Sequence, residues 1–219
     1  MNTAKTREEG PFEGLLIELH YLPCIAYFTH LLQYEKVVLE ADEHYPKQTY
    51  RNRCRVRTAQ RVMTLSVPVS KGPGKSASRD VKIDYHQPWL KDHWRTIASA
   101  YGKAPFFPDY APFFEKILFK KYTFLFDLNL ELLTNCLFLL GVKKNIAITT
   151  GYQKEAPEGV KDLRNAVMLE KEEITEVVHN FVNYRQVFGS NFAPNLSIVD
   201  LLFCQGPAAK GIIRQSIFL

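Results

Sequence analysis

The feature that most constrains the fold is an apolar, helical, apolar pattern near the start of the chain. Residues 14–19 form an apolar run of strand length, and Lys36–Glu40 is a second short run with β-branched residues. Between them, residues 24–34 carry apolar side chains at helical spacing, directly after Pro23. Strand, helix and strand in this order predict a βαβ unit with parallel strands and a right-handed crossover.

The remaining pattern extends this unit into an α/β domain. Predicted strands are residues 52–58, 62–69, 81–85 and 146–149, and residues 70–79 and 151–165 are predicted loops. Predicted helices are Trp89–Tyr101 and residues 112–120, 129–140 and 196–203, the third with Asp127 as N-cap and Gly141 as its stop.

We therefore predict a flexible N-terminus over residues 1–12 and a single α/β domain over residues 13–219. The domain is expected to have a central, mostly parallel sheet with a mixed edge, flanked by helices, and a helical C-terminal half. A chain of 219 residues with 46% hydrophobic residues is long enough for one sizeable core and short for two domains.

Composition excludes several classes of function. No apolar stretch is long enough to span a membrane and no secretory leader is visible, which predicts a cytoplasmic protein. The four cysteines (Cys24, Cys54, Cys136 and Cys204) are widely spaced, so a structural zinc site is not expected and the thiols are predicted to be reduced. The net charge of +5 is not clustered, which favours a small anionic ligand such as a nucleotide or nucleotide sugar over nucleic acid.

Two segments invite a phosphate-binding interpretation. Residues 72–76 (GPGKS) resemble the end of a P-loop, but Val69 stands where the motif needs glycine and no apolar helix follows, so a flexible basic loop is favoured. The end of the first strand presents Glu18, His20 and Tyr21 beside a helix start, where backbone amides either bind an anion or simply cap a packed helix.

Two further segments carry polar groups suited to ligand binding. Gln48, Asn52 and Arg53 follow the second strand, either as ligands of a phosphate or carboxylate or as ordinary polar residues of a solvated hairpin. His93 lies early on a predicted helix beside two tryptophans, where it acts as a general acid or base or satisfies a core hydrogen bond.

The spaced motifs together resemble the WbqC-like family, whose members occur among bacterial genes for surface polysaccharide assembly. The resemblance covers residues 15–206 in an unbroken order. It rests on Tyr21-Leu22-Pro23, Tyr27-Phe28, Gln48, Asn52-Arg53, Leu65-Ser66-Val67-Pro68-Val69, Trp89, His93, Tyr101, Lys103-Ala104-Pro105-Phe106-Phe107 and Leu196-Ser197-Ile198-Val199-Asp200-Leu201-Leu202-Phe203. Glu18-Leu19 departs from the Gln-Pro that is usual in the family, so an acid replaces an amide at the strand end.

The resemblance implies an enzyme of O-antigen or capsule biosynthesis that acts on a nucleotide-activated sugar, or transfers an amino or acyl group to a sugar. On this hypothesis Tyr21, Gln48, Asn52 and Arg53 bind the ligand, His93 is the acid or base, and Asp200 orients a basic partner. The alternative is a non-catalytic binding or scaffold protein of a polysaccharide assembly complex. No cofactor or metal is indicated.

A second, weaker resemblance concerns the fold. A strand, an aromatic-rich turn, a helix and a strand followed by Gln and Arg are similar to the Rossmann-like fold of nucleotidyltransferases. The chain lacks the His-x-Gly-His spacing of those enzymes, because His20 and His30 are ten residues apart. This resemblance therefore implies a fold and no mechanism.

Overall fold

The computed structural model describes residues 13–70, 76–169, 180–189 and 191–216. The predicted flexible N-terminus, residues 1–12, lies outside the described residues. Residues 71–75, which include most of the sequence that resembles a P-loop, lie outside them as well.

The opening βαβ unit is confirmed. β1 (Gly14–Glu18) and β2 (Lys36–Glu40) are parallel, and α1 (Ile25–Gln33) connects them. Leu15, Ile17, Val37 and Leu39 are buried on one face of the two strands, where burying their apolar side chains stabilises the unit.

Two later strands complete a four-stranded parallel sheet. β5 (Asn145–Ile148) pairs with β2, and β6 (Val160–Asp162) pairs with β1, which gives the order β5-β2-β1-β6. β6 lies within the segment predicted as a loop, and that prediction was wrong because three residues at a sheet edge carry too little apolar pattern to identify a strand.

The predicted mostly parallel sheet flanked by helices is confirmed, whereas the Rossmann-like part of the prediction is not. The connection from β5 to β6 contains no helix among the described residues, and the connection from β2 to β5 contains a hairpin and three helices.

The hairpin consists of β3 (Arg53–Arg57) and β4 (Val62–Ser66), which pair antiparallel as a separate sheet. Cys54 and Val56 are buried, whereas the arginines that alternate with them, Arg53, Arg55 and Arg57, are half-buried on the other face. Residues 81–85 do not form the predicted strand, since only isolated bridges join Ile83 to Val69 and Lys82 to Phe124.

Helices dominate the middle and the end of the chain. The first predicted helix after the hairpin, Trp89–Tyr101, is confirmed. Helix α4 (Leu125–Leu139) begins before Asp127, which therefore lies in its first turn and is not its N-cap. Gly141 follows α4 with a φ of +61°, a conformation that favours glycine and ends the helix. The helices are α2 (Trp89–Tyr101), α3 (Phe107–Leu118), α4 (Leu125–Leu139), α5 (Ile198–Gln205) and α6 (Ala209–Gln215).

One hydrophobic core connects the sheet, the hairpin and the helices. Phe203 of α5 lies at a junction of this core, with its ring centroid 5.5 Å from Tyr101, 5.0 Å from Phe107 and 5.6 Å from Phe114. Within the described parts of the chain, no helix is both long and apolar enough to cross a membrane.

Candidate functional site

Tyr21 and His93 are brought together in the core. The Tyr21 hydroxyl lies 3.0 Å from Nδ1 of His93, and the backbone carbonyl of Ser66 accepts a hydrogen bond from the same imidazole. Burial lowers the pKa of His93 to about 4, because the charged form loses its hydration, although Ser66 and Asp92 oppose this effect. The imidazole is therefore neutral at pH 7 and is hydrogen-bonded to protein groups.

Gln48, Asn52 and Arg53 have different surroundings. Gln48 is exposed in a turn with a φ of +63°, and the Asn52 side chain donates to the backbone carbonyl of Val67 at 3.0 Å. Arg53 begins β3 and is half-buried on the outward face of the hairpin. The amide nitrogen of Asn52 thus joins the hairpin to the segment that follows it, whereas its Oδ1 is buried without a hydrogen-bond partner.

Asp200 lies on α5 and is 0% exposed. Its Oδ2 accepts hydrogen bonds from the Tyr184 hydroxyl at 2.5 Å and from the Gln186 amide at 3.1 Å. Burial raises the pKa of the Asp200 carboxyl above its usual value, because the loss of hydration outweighs the stabilisation by Tyr184, Tyr101 and Gln186. The carboxyl group holds the described segment 181–188 against α5.

We expect Asp200→Asn to change the pH dependence of stability. The pKa of Asp200 is higher in the folded state than in the unfolded state. At pH values between these two pKa values the folded state therefore binds more protons, and the free energy of unfolding falls as pH rises. The stability of the wild type relative to Asp200→Asn should therefore fall as pH rises above about 3.9, by at most about 1.4 kcal/mol per pH unit.

Urea unfolding of both proteins across this pH range measures the difference. Asp92→Asn, which replaces an exposed aspartate, is the control and should give a nearly constant difference. A relative stability of the wild type that rises with pH would contradict a raised pKa for Asp200.

The six predicted site residues are not joined into one hydrogen-bonded group in the described part of the chain. Tyr21 and His93 contact each other, whereas Asp200 belongs to the network with Tyr184. None of the six lines the cavity described below. Their assigned roles in ligand binding and catalysis stay predictions.

A different polar cluster lies at the carboxyl ends of β1 and β2. Glu18 ends β1, and its Oε1 lies 3.1 Å from Nε2 of His20; both residues are 1% exposed. The His20 ring lies between Tyr27 and Tyr50, at centroid distances of 4.7 and 5.4 Å. Nδ1 of His20 is buried without a hydrogen-bond partner in the structure.

Arg51 provides a positive charge beside the Glu18 carboxylate. Its guanidinium forms a bidentate ion pair with Glu43, at 2.6 and 2.8 Å, and lies 3.6 Å from Glu18 Oε1. Asn165 bridges the two groups, since its backbone N–H donates to Glu18 and its side-chain oxygen accepts from Arg51.

The pKa values follow from these contacts. Burial by itself raises the pKa of Glu18, but the hydrogen bond from His20, the charge of Arg51 and the Asn165 N–H together hold it at about 2. Burial lowers the pKa of His20, although Glu18 opposes that effect. At neutral pH the pair is therefore a carboxylate and a neutral imidazole.

A second polar group surrounds Glu40 at the end of β2. Glu40 accepts from Arg164 at 2.9 Å, from the Thr149 hydroxyl at 3.0 Å and from the Asp42 backbone N–H at 2.9 Å. Asp42 in turn pairs with Arg79 at 2.8 Å. Glu18 and Glu40 are in register on the paired strands, so the two polar groups are neighbours.

A cavity of about 210 Å³ lies on the sheet face beside Glu40. Aliphatic side chains of the strands and polar groups of the segment after β5 form its walls. The lining residues are Leu16, Val38, Glu40, Ile148, Thr149, Thr150, Gly151, Gln153, Pro157 and Val160.

Much of this site was missed by sequence reasoning. The strand end at Glu18 and His20 was visible as a candidate, but Arg164 and Asn165 fell in a segment interpreted as a loop. Thr149 had no motif around it. The signal that could have found Arg164 and Asn165 is their position just after a parallel strand. That signal requires β6 to be recognised as a strand. Within the described residues, no group of three or more His, Cys, Asp or Glu side chains could hold a metal ion.

These features define an α/β protein with a polar cluster at the carboxyl ends of a parallel sheet and a cavity on the face of that sheet. The chain belongs to the WbqC-like protein family, whose model matches residues 19–171 and 155–212. It is also similar to the uncharacterized protein Rv1507c of Mycobacterium tuberculosis, with 28% identity over 91% of this chain and 96% of the relative. No solved structure matches the chain.

Proposed function

We propose that this protein is a transferase of bacterial surface polysaccharide biosynthesis that uses a nucleotide-activated sugar or transfers an amino or acyl group to a sugar. The observation that carries the proposal is the Glu18–His20 pair at the carboxyl end of β1. Ligands of open α/β sheets bind outside the carboxyl ends of the strands, where the strand order reverses. Here β1 lies at that reversal, between β2 and β6.

The geometry of the pair suits general base catalysis. The Glu18 carboxylate accepts a hydrogen bond from the Nε2–H of His20, which fixes the tautomer and leaves the lone pair on Nδ1. A carboxylate that orients an imidazole in this way also stabilises the imidazolium that forms when the base takes a proton. The lowered pKa of His20 keeps the base unprotonated at pH 7.

The proposed step is a transfer to an acceptor hydroxyl or amine. The acceptor oxygen or nitrogen forms a bond to the transferred carbon, and Nδ1 of His20 takes the proton that the acceptor loses. The leaving group departs with the electron pair of the bond that breaks. Because His20 is 1% exposed, the substrate reaches Nδ1 through a local rearrangement, and transfer takes place away from bulk water.

We expect His20→Gln to fold and bind ligand but to lose transfer activity by about 10²- to 10⁴-fold, the usual contribution of a positioned general base. Glutamine retains an N–H donor for Glu18 and lacks a basic nitrogen. His44→Gln, which changes an exposed histidine, is the matched control and should keep full activity.

The measurement combines two assays. Thermal unfolding with nucleotides, nucleotide sugars and acyl-coenzyme A finds the donor, since a ligand at a hundredfold excess over its Kd stabilises the folded state by about 2.7 kcal/mol. Mass spectrometry of the donor with sugar acceptors then measures product. Full activity in His20→Gln would overturn the assignment of the base.

A second candidate function is the non-catalytic scaffold. It is supported by exposed aromatic side chains on two helices: Phe138 is 67% exposed and Phe113 is 43% exposed, with ring centroids 6.0 Å apart. Exposed apolar groups of this kind occur at protein interfaces. The absence of a thermal shift with every donor, together with no product, would favour this candidate over the transferase.

A further inference from the structure

We infer that the cavity beside Glu40 binds a sugar ring through a vicinal diol. That the bound sugar then reacts rests on the proposed function, whereas binding of the sugar is measured in a separate experiment. A volume of about 210 Å³ corresponds to roughly seven water molecules at ~30 Å³ each, which is enough for a single ring and too small for a whole nucleotide.

The cavity has an aliphatic floor and polar groups at its edge, which suit the C–H face and the hydroxyl groups of a sugar ring. Leu16, Val38 and Val160 supply an aliphatic floor from three adjacent strands, against which the C–H face of a sugar can pack. Thr150 and Gln153, both exposed at the edge of the cavity, bring a hydroxyl and an amide that exchange hydrogen bonds with sugar hydroxyls.

Glu40 supplies the acceptor for the diol. A carboxylate has about four acceptor positions, and the described contacts of Glu40 use one from each of Asp42, Thr149 and Arg164. The single proton of the Thr149 hydroxyl can instead be donated to Asp42, whose Oδ2 is also 3.0 Å away, and two acceptor positions of Glu40 are then open to the two hydroxyls of a diol. Arg164 and the Asp42 backbone N–H hold the carboxylate in place, so it requires little reorganisation when the ligand enters.

The local charge argues against phosphate in the cavity. Glu40 lines the cavity and belongs to a group of three carboxylates (Glu40, Asp42 and Asp162) and two guanidinium groups (Arg79 and Arg164) that are joined by ion pairs and by the Thr149 hydroxyl. A neutral polyol is compatible with this balance, whereas a phosphate would add negative charge beside carboxylates. The positively charged face of the hairpin is formed by other residues.

An aromatic ring stands beside the cavity. Tyr152 lies between the lining residues Gly151 and Gln153 and is 57% exposed. The Arg164 guanidinium is 5.3 Å from its ring centroid and fixes its position. An exposed ring held in this way offers a stacking surface to a sugar or to the base attached to a ribose.

Two sources can present the diol, namely the ribose of a nucleotide or the sugar that is transferred. Saturation-transfer NMR with uridine and with methyl glucoside separates them, because each probe contains only one of the two rings. We expect one probe to bind, and its analogue without the vicinal diol (2′,3′-dideoxyuridine or the matching dideoxy glucoside) to bind at least about tenfold more weakly, because it lacks the hydrogen bonds to the charged carboxylate.

Val160→Phe should fill the cavity and abolish the signal. The matched control is Val142→Phe, which enlarges a half-buried valine that does not line the cavity and should leave binding unchanged. No signal from either probe, or equal binding of the dideoxy analogue or of Val160→Phe, would overturn the inference.

His20→Gln separates this inference from the proposed function. The variant should bind the probe as the wild type does, because His20 does not line the cavity. Binding without any loss of activity in His20→Gln overturns the assigned base alone. Activity that depends on His20, with no probe bound by the wild type, overturns the diol site alone.

Discussion

Replacing Arg51 by leucine is expected to destabilise the protein by about 3–5 kcal/mol, the usual cost of removing one partner of a buried ion pair. Its side chain is 5% exposed and contacts Glu43 and Glu18, whose side chains are 8% and 2% exposed. Without Arg51, both carboxylates stay buried with less compensation, because His20 is neutral and the other contacts of Glu18 are uncharged.

Urea unfolding at pH 7 measures this loss of stability. Arg95→Leu is the control: Arg95 and Asp92 are 75% and 60% exposed and 3.8 Å apart, and exposed pairs of this kind contribute about 0–1 kcal/mol. A loss of stability below about 1 kcal/mol in Arg51→Leu would contradict the prediction, and would show that water or local rearrangement stabilises the buried carboxylates in place of Arg51.

A double variant sharpens the result. Combining Arg51→Leu with Glu43→Gln removes the bidentate partner together with the arginine, so the double variant should recover part of the stability lost in the single variant. Additive losses would mean that the two side chains do not interact energetically, contrary to their distances.

The second large effect is expected for Phe203→Ala, with a loss of about 3–5 kcal/mol. Phe203 is 0% exposed, and its ring contacts aromatic side chains of α2 and α3. Truncation removes buried apolar surface and leaves a cavity where three helices meet, and the surrounding rings can close it only in part.

The control for this prediction is Phe138→Ala, whose side chain is 67% exposed and should change stability by less than about 0.5 kcal/mol. Thermal and urea unfolding of the two variants give the comparison. Similar stabilities for both would contradict the central position of Phe203 in the core.

Different observations support the family membership and the proposed function. The match of the family model over most of the chain establishes the WbqC-like family. The role in polysaccharide assembly and the activated-sugar ligand are proposals, for which the Glu18–His20 pair and the neighbouring cavity give a physical basis, whereas the cytoplasmic location stays a prediction from the sequence.

The sequence by itself determined the elements whose pattern is local. The βαβ unit, the hairpin strands and the bounds of α2 follow from apolar periodicity and from Pro23, because strand and helix periods are fixed by backbone geometry. The alternating arginines of β3 follow from the same rule.

Only the tertiary structure decided how these elements meet. β6 is too short to be recognised until it pairs with β1, and Arg164 and Asn165 reach Glu40 and Glu18 only through that pairing. His20 and His93 look equivalent in the sequence, yet Nδ1 of His20 is buried without a partner, whereas Nδ1 of His93 lies 3.0 Å from the Tyr21 hydroxyl. Which groups are buried together depends on contacts between distant segments, and the local sequence pattern does not encode that.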